Sequence, residues 1–141
     1  MPIVCMENVQ RYYGDNPQLL ARYREIVETG ECPFCEGNIG NGHQFVGRTK
    51  HWNIVINPYP YPNSVVHLLV IPKRHLESLE ELSLKEWGEM AEVITVAIQR
   101  YPVLSQGYGL AIRVREIGGV TLYHLHMHLI APKGVVGFGI G

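Results

Sequence analysis

Apolar side chains recur with helical spacing in two segments of the chain. The first, Pro17–Val27, predicts a short N-terminal amphipathic helix with Asn16 as its N-cap and a proline at its first position. The second extends from Ser83 to about Arg100, and Glu86 can complete a capping box with Ser83. A proline follows two residues later, so the pattern predicts a long helix that ends near Arg100.

Five other segments have the alternating or continuous apolar pattern of β-strands. They are Gln44–Arg48, Trp52–Asn57, Val65–Pro72, Tyr108–Val114 and Tyr123–Ala131. Val65–Pro72 is apolar almost throughout, which is typical of a central, buried strand. Three prolines predict a loop over residues 58–64, and the Gly-rich segment 134–141 has no clear periodicity. The order of these elements predicts an α+β fold, in which an antiparallel β-sheet of about five strands is combined with a long central helix.

The composition is that of a compact, folded chain. Of the 141 residues, 46% are hydrophobic and 18% are charged, which argues against disorder. The formal net charge of −1 argues against a protein that binds nucleic-acid polymers or membrane surfaces, since these carry a basic excess. The apolar stretches are too short to span a bilayer and the first residues lack a signal-peptide pattern. We therefore expect one domain, residues 1–141, in the cytoplasm.

Three histidines alternate with apolar residues in the last predicted strand. In an extended chain, side chains two positions apart lie on the same face, about 6.6–6.8 Å from one another. His124, His126 and His128 should therefore share one face, while the apolar residues between them enter the core. Such a face can hold a catalytic metal ion with an open position, or can supply a nucleophile that attacks phosphorus. Spacing alone does not separate these two chemistries.

The cysteines suggest a second site. Their count of three argues against a framework of disulfide bonds in a chain without a secretion signal. Cys32 and Cys35 form a Cys-x-x-Cys pair, which is typical of redox motifs and of metal sites. The polar and Gly-rich flanks do not have the strand and helix of a redox motif, so the pair favours a metal site with two further ligands.

The run His-Leu-His-Met-His-Leu-Ile at 124–130 resembles the signature of the histidine triad (HIT) family. Two upstream segments are also similar to that family: Asn57-Pro-Tyr-Pro-Tyr61, and the strand from His67 that leaves through Pro72-Lys-Arg-His75. The resemblance covers about residues 30–132. It implies a single HIT domain with the HIT-like fold, a nucleotide or dinucleoside polyphosphate substrate, and a homodimer formed through the helix Trp87–Ile98 or a sheet edge.

The resemblance also implies catalytic roles for three histidines. His126 is the nucleophile, which a hydrogen bond from its other ring nitrogen to a backbone carbonyl would stabilise. His128 contacts the phosphate or the bridging oxygen and helps the leaving group to accept a proton. His67 lies at the position of a fourth active-site histidine. Structural alternatives remain for the last two, as a supporting partner and as a satisfied histidine on a buried strand.

Four residues are candidates for binding substrate. Asn57 can bond a ribose hydroxyl or cap the proline-rich loop that follows it. Gly119 can bring a backbone N–H to the phosphate or form a hairpin turn, and Thr121 adds a hydroxyl. Arg113 and Arg115, on alternate positions of a predicted strand, should face the same way and could meet further phosphates, or could be solvent-exposed charges.

The same resemblance supplies the missing metal ligands. In the family members with a Cys-x-x-Cys pair, the histidine after the exit proline and the first histidine of the triad complete the site. These correspond to His75 and His124, which join Cys32 and Cys35. Two cysteines and two histidines form a closed tetrahedral shell, so the resemblance implies structural zinc.

The sequence departs from the family pattern at positions that bind the nucleotide. Val120 replaces the usual phosphate-binding glutamine, Arg113 falls near the usual asparagine, and Val55 replaces the aspartate that binds ribose. Our leading hypothesis is a nucleotide hydrolase or nucleotidyl transferase with a covalent His126 intermediate. The alternatives are a transferase similar to diadenosine-polyphosphate phosphorylases, a hydrolase whose metal is held by the three histidines, and a non-catalytic nucleotide-binding module.

Overall fold

A computed structural model describes residues 2–141 of the protein. Within this range the helices are α1 (Met6–Tyr13), α2 (Pro17–Thr29), α3 (Leu84–Gly88), α4 (Met90–Arg100) and α5 (Arg115–Gly118). The strands are β1 (Phe45–Arg48), β2 (Trp52–Ile56), β3 (Ser64–Pro72), β4 (Gly109–Ile112) and β5 (Met127–Pro132). Short 3-10 helices lie at Ile39–Asn41, Leu79–Glu81 and Pro102–Gln106.

The five strands form one antiparallel sheet in the order β1-β2-β3-β5-β4. The apolar strand β3 lies at the centre, between β2 and β5. Its register with β5 places Leu69 opposite His128 and His67 opposite Ile130. The predicted α+β fold, the five-stranded antiparallel sheet and the central position of β3 are confirmed.

Each face of the sheet has its own apolar core. On one face, side chains of the strands and of the segment before β5 pack against α4; they include Trp52, Leu68, Val93, Leu125, Met127 and Leu129. On the other face, strand residues pack against α1, α2 and the segment that contains the cysteines; this cluster includes Val9, Ile26, Phe34, Val55, Leu69 and Ile71. The sheet is therefore a middle layer, and the helix α4 lies on the side opposite to α1 and α2.

The N-terminal region contains one more helix than the sequence predicts. The expected helix is α2, in which the Asn16 side chain accepts from the Leu19 N–H and Gly30 ends the helix with a φ of 68°. Helix α1 was missed because it is short and largely polar. It is anchored by tertiary contacts, since Val9 is buried and the Asn8 amide donates to the carbonyl oxygens of Glu116 and Val120 at 2.9 and 2.8 Å.

The long helix predicted to end near Arg100 is divided in two. The Ser83–Glu86 capping box is present at its start. The helix is interrupted after Gly88, and Glu89 has φ −86° and ψ −3°. The Glu89 carboxylate accepts from the His51 backbone N–H at 2.9 Å and also contacts the His51 ring. This tertiary contact lies at the break between α3 and α4.

Two predicted strands are shorter in the structure. The last one pairs only from Met127, so His124, which lies at a bend, and His126 precede β5, while His128 lies within it. The alternation nevertheless holds, because the apolar residues between the histidines pack in the core that contacts α4. The fourth strand ends at Ile112 and not at Val114. No helix among residues 2–141 is long and apolar enough to cross a membrane.

Glu86 joins α3 to the sheet. Its carboxylate accepts from Arg74 Nη2 and from the Ser83 backbone N–H, both at 2.8 Å. Its backbone carbonyl accepts from the indole N–H of the buried Trp52 at 2.8 Å. The Arg74 hydrogen bond is the main reason why the pKa of the buried Glu86 carboxyl is lowered, to about 2.

We expect the Glu86→Gln variant to be less stable than the wild type by about 2 kcal/mol at pH 7, because it loses charge-assisted hydrogen bonds. Since the pKa of Glu86 is lower in the folded than in the unfolded chain, ionisation stabilises the fold above about pH 5, and this contribution is lost toward pH 2. The difference between wild type and variant should therefore shrink as the pH falls. Urea unfolding at several pH values measures it, with the exposed Glu28→Gln as control. A difference that is independent of pH would contradict this role.

Candidate functional site

His126 is held with one ring nitrogen free. Its Nδ1 lies 2.8 Å from the backbone carbonyl oxygen of His124, and a carbonyl can only accept, so Nδ1 carries the proton. The Nε2 atom of the neutral ring is then an unprotonated nucleophile. The ring lies between Phe34 and His128, with centroid distances of 5.1 and 5.3 Å. The side chain borders a cavity that α1 and α2 also line.

His67 fixes the orientation of His128. The backbone N–H of Tyr61 donates to His67 Nδ1 at 3.1 Å, so the proton of a neutral His67 must lie on Nε2. That N–H points at His128 Nδ1, which is 2.8 Å away and therefore accepts. The remaining proton of His128 is consequently on Nε2. His128 also borders the cavity, stacked against the Tyr61 ring at a centroid distance of 5.4 Å.

Burial keeps these histidines neutral near pH 7. It is the main cause that lowers the pKa of His126 and of His67, each to about 4, and of His128, to about 2. The neighbouring histidines and the Arg113 cation lower the pKa of His128 further. A neutral His126 has a lone pair available, and a neutral His128 is a hydrogen-bond donor without net charge.

The cavity beside these histidines has an aromatic wall and a basic character. Its lining includes Tyr13, Tyr23, Phe34, His43, Tyr59, Tyr61, Thr121, Arg22 and Arg113, and none of its lining residues is Asp or Glu. A cavity with two arginines and no carboxylate favours an anionic ligand. Sequence reasoning missed Tyr13, Tyr23, Arg22, Phe34 and His43, because the packing of α1 and α2 against the sheet brings them here and no local motif marks them.

Asn57 lines the cavity, and its side chain caps the loop that follows it. Its side-chain oxygen accepts from the Tyr59 backbone N–H at 2.8 Å. Its amide nitrogen lies 3.2 Å from His67 Nε2, a contact that is not a hydrogen bond because both nitrogens carry protons. Thr121 also borders the cavity, and its hydroxyl is hydrogen-bonded to the Tyr23 hydroxyl at 2.8 Å. Both predicted substrate-binding residues are therefore near His126 and His128.

Gly119 is not among the residues that line the cavity. Its N–H donates to the Glu116 carbonyl oxygen at 3.0 Å, where it ends α5 with a φ of 102°. A Cβ at this position would lie 2.8 Å from the Tyr12 hydroxyl, so the glycine is needed for close packing. The local conformation is therefore the end of a helical turn and not the hairpin turn given as the alternative, and the expected contact of this N–H with phosphate stays a prediction.

The two arginines near the end of β4 do not face the same way. Arg113 enters the cavity wall, where Nη1 donates to the Tyr61 hydroxyl at 3.1 Å. Arg115 begins α5 with a φ of 56° and lies 3.4 Å from the Glu80 carboxylate. The prediction of a shared face is wrong because β4 ends at Ile112 and the strand alternation stops there.

Two positions at which the sequence departs from the family pattern carry buried valine side chains. Val120 is buried and borders the cavity, and Val55 is fully buried in the core beneath it. Neither can make the polar contact that the usual glutamine or aspartate provides.

Four side chains form a compact cluster beside the cavity. One ligand atom from each of Cys32, Cys35, His75 and His124 lies within 4.8 Å of the others. The sulfur–nitrogen distances are 3.4 Å from Cys32 to His124 Nδ1, 3.2 Å from Cys35 to His75 Nδ1 and 3.7 Å from Cys35 to His124 Nδ1. A tetrahedral ion with bonds of about 2.3 Å to sulfur and 2.0 Å to nitrogen places such atoms about 3.5 Å apart. The four residues can therefore hold a metal ion.

The surroundings of this cluster orient its histidines. His124 Nε2 donates to the Pro72 carbonyl oxygen at 2.8 Å, which leaves Nδ1 unprotonated toward the cysteines. His75 Nε2 lies 3.6 Å from the Glu77 carboxylate. Burial raises the pKa of the Cys32 thiol to about 12, so a thiolate at this position needs a cation beside it.

Comparison with known proteins gives consistent matches. A sequence profile of the HIT domain matches residues 41–135, well over half of the chain. A HIT-like protein of Chlamydia muridarum is 31% identical over 80 residues, which cover 55% of this chain and 64% of that protein. The purine nucleoside phosphoramidase of Escherichia coli strain K12 is 29% identical over 75 residues, 51% of this chain and 63% of that enzyme. The chain thus spans less than two thirds of the length of these two relatives.

Solved structures show the same fold. A histidine triad nucleotide-binding protein from Candida albicans superposes with a TM-score of 0.58 at 19% identity, over 73% of this chain and 77% of that one. A zinc-bound histidine triad family protein from Mycobacterium smegmatis gives a TM-score of 0.51 at 21% identity, over 67% of this chain and 70% of that one. The profile match, the fold and the Cys-x-x-Cys cluster agree, and the chain belongs to the HIT domain family.

Proposed function

We propose that this chain is a nucleotide hydrolase or nucleotidyl transferase that forms a covalent bond between His126 and the phosphorus of its substrate. The observation that carries the proposal is the hydrogen bond from His126 Nδ1 to the His124 carbonyl oxygen, which leaves Nε2 free at the cavity wall. The similarity to a purine nucleoside phosphoramidase supports a nucleoside phosphoramidate as substrate. Phosphoesters and phosphoanhydrides contain the same reacting phosphorus.

In the first step, the lone pair of His126 Nε2 forms a nitrogen–phosphorus bond while the bond from phosphorus to the leaving nitrogen breaks. The leaving amine takes its proton from water. His128, neutral and protonated on Nε2, donates to a phosphoryl oxygen as negative charge develops there. His67 holds His128 in that tautomer. In the second step, water attacks phosphorus, and the nitrogen–phosphorus bond breaks with its electron pair returning to His126 Nε2. The proton that this water loses replaces the one taken by the leaving amine, and the nucleoside monophosphate is released.

The acceptor of the second step decides between the two activities that we consider. With water the protein is a hydrolase, and with inorganic phosphate it is a transferase similar to diadenosine-polyphosphate phosphorylases. Nothing in the first step differs between them. Product analysis with and without phosphate distinguishes the two.

The alternative of a metal ion held by the three triad histidines has less support. His126 Nδ1 donates to the His124 carbonyl oxygen, and His128 Nδ1 accepts from His67 Nε2. Of the residues described, the only cluster with metal-ligand geometry contains His124 and neither of the other two. The triad therefore divides its roles, with one histidine in the metal cluster and two at the cavity.

We further propose that the metal is zinc and that it is structural. Two sulfur and two nitrogen ligands fill a tetrahedral shell and leave no position for substrate. The ion would join the segment of Cys32 and Cys35 to the end of β3 and to the triad segment. When bound, it supplies positive charge to the buried thiolates. The zinc-bound relative from Mycobacterium smegmatis supports this identity.

We expect the Cys32→Ser variant to lose zinc and to unfold at a lower temperature, because a structural zinc ion contributes directly to folding free energy. Elemental analysis of the purified protein and thermal unfolding measure the two effects. The matched control is Cys5→Ser, which removes a buried cysteine outside the cluster. A variant at Cys32 that keeps the full zinc content would exclude the assignment.

We expect the His126→Ala variant to lose turnover of adenosine 5′-phosphoramidate by about three orders of magnitude or more, because it lacks the nucleophile. It should also form no acid-labile nucleotidyl adduct in rapid-quench experiments with labelled substrate, while its zinc content stays unchanged. His51→Ala, in which the lost histidine contacts Glu89 and not the cavity, is the control. An adduct on the His126→Ala variant would refute the proposed intermediate, and wild-type binding without any adduct would indicate a non-catalytic module.

A further inference from the structure

The C-terminal segment, residues 133–141, packs against cavity residues through Phe138, which contacts Tyr61 and His128, and is held at both ends. At its start, the Lys133 N–H donates to the Asn63 carbonyl oxygen at 2.9 Å and the Asn63 amide donates to the Val135 carbonyl oxygen at 3.0 Å. At its end, the Gly141 N–H donates to the Gly118 carbonyl oxygen at 3.1 Å, and the Tyr12 hydroxyl donates to the Gly141 carbonyl oxygen. The segment from residue 136 onward also lies outside the matched HIT profile.

Between these two anchors the C-terminal segment contacts Arg113. The guanidinium carbon of Arg113 lies 3.9 Å from the centre of the Phe138 ring, and Arg113 Nε donates to the Gly139 carbonyl oxygen at 2.6 Å. A third contact comes from the Tyr61 hydroxyl at 3.1 Å. The segment thus holds the side chain through a cation–π contact and through a hydrogen bond to a neutral carbonyl group.

The positive charge of Arg113 is not neutralised, because none of these three partners is anionic. Arg74 and Arg115 are both paired with glutamates, at 2.8 and 3.4 Å. Within residues 2–141 no carboxylate lies within ion-pair distance of Arg113. The Phe138 ring also packs against His128 at a centroid distance of 5.3 Å. The uncompensated cation therefore lies beside the two catalytic histidines.

We propose that Phe138 and the Gly139 carbonyl group are positioning elements that fix Arg113 as a phosphate-binding residue of the cavity, so that the C-terminal segment sets the affinity for nucleoside phosphates. This inference rests on the proposed nucleotide-binding function. Val120 and Val55 provide no polar contact, and the Gly119 N–H is used in α5. Arg113 thus supplies phosphate recognition that the apolar replacements cannot provide.

The physical reason is the flexibility of an arginine side chain. A free guanidinium on a long side chain loses rotamer entropy when it binds an anion. Phe138 and the Gly139 carbonyl oxygen restrict it beforehand and leave Nη2 and one Nη1 hydrogen for ligand. Removal of the aromatic ring should weaken binding of a phosphate group and should leave binding of an uncharged nucleoside unchanged.

Calorimetric titration with AMP and with adenosine tests this inference without requiring turnover. We expect Phe138→Leu, which keeps an apolar side chain but lacks a ring, to bind AMP about tenfold more weakly, while Phe138→Tyr binds it as the wild type does. Adenosine affinity should be the same in all three proteins. Ile140→Ala, at a 75% exposed position of the same segment, is the matched control and should bind AMP normally.

The coupling to Arg113 is tested by a double-mutant cycle. Arg113→Met should weaken AMP binding and reduce its dependence on salt, and Phe138→Leu should add little to that loss. Normal AMP affinity in Phe138→Leu, additive losses, or no AMP binding by the wild type would each overturn the inference. Tighter AMP binding in Phe138→Leu would show instead that the segment obstructs the site. Adduct formation is measured separately, so loss of the proposed chemistry and loss of this positioning role remain distinguishable.

Discussion

One residue, His124, connects the metal cluster to the catalytic geometry. Its ring is buried completely, with Nδ1 toward the two cysteines and Nε2 bonded to the Pro72 carbonyl group. Its backbone carbonyl oxygen accepts the hydrogen bond that His126 Nδ1 donates. The tautomer of His126 thus depends on the backbone of the same residue whose side chain belongs to the metal cluster. A metal ion in the proposed closed site would therefore help to fix the geometry of His126 without taking part in the proposed chemistry.

The rest of the site follows from burial and from hydrogen-bond direction. Backbone N–H groups can only donate and carbonyl groups can only accept, so Tyr61 and the His124 carbonyl group fix the protons of three imidazole rings. Burial lowers the pKa of each ring and keeps it neutral. The cavity then contains an unprotonated nitrogen and a neutral donor, beside arginines with no carboxylate in the lining. This combination suits attack on a phosphate that carries its own negative charge.

Local patterns predicted the parts of the structure that local chemistry determines. The apolar run of β3, the Ser83–Glu86 capping box and the Asn16 cap each depend on neighbouring residues, and all three are present. The Cys-x-x-Cys pair acquired its histidine partners only through the family resemblance, because β3 and the triad segment are distant in sequence. Helix α1 and the position of Gly119 could not be predicted, since Val9 packing and the Tyr12 contact are tertiary.

The matched HIT segment and the flanking parts of the chain contribute different properties to the site. Residues 41–135 supply His67, His126 and His128, the three histidines of the proposed chemistry at phosphorus. Helices α1 and α2 supply Tyr13 and Tyr23 to the cavity wall, and the C-terminal segment supplies the Phe138 ring next to Arg113. Tyr12 of α1 connects the two flanking parts of the chain, because its hydroxyl contacts Gly141 and its ring lies 5.1 Å from the Arg113 guanidinium. Since the two flanks contact one another and both contact Arg113, the position of this cation depends on the two together, while the imidazole network lies within the matched segment.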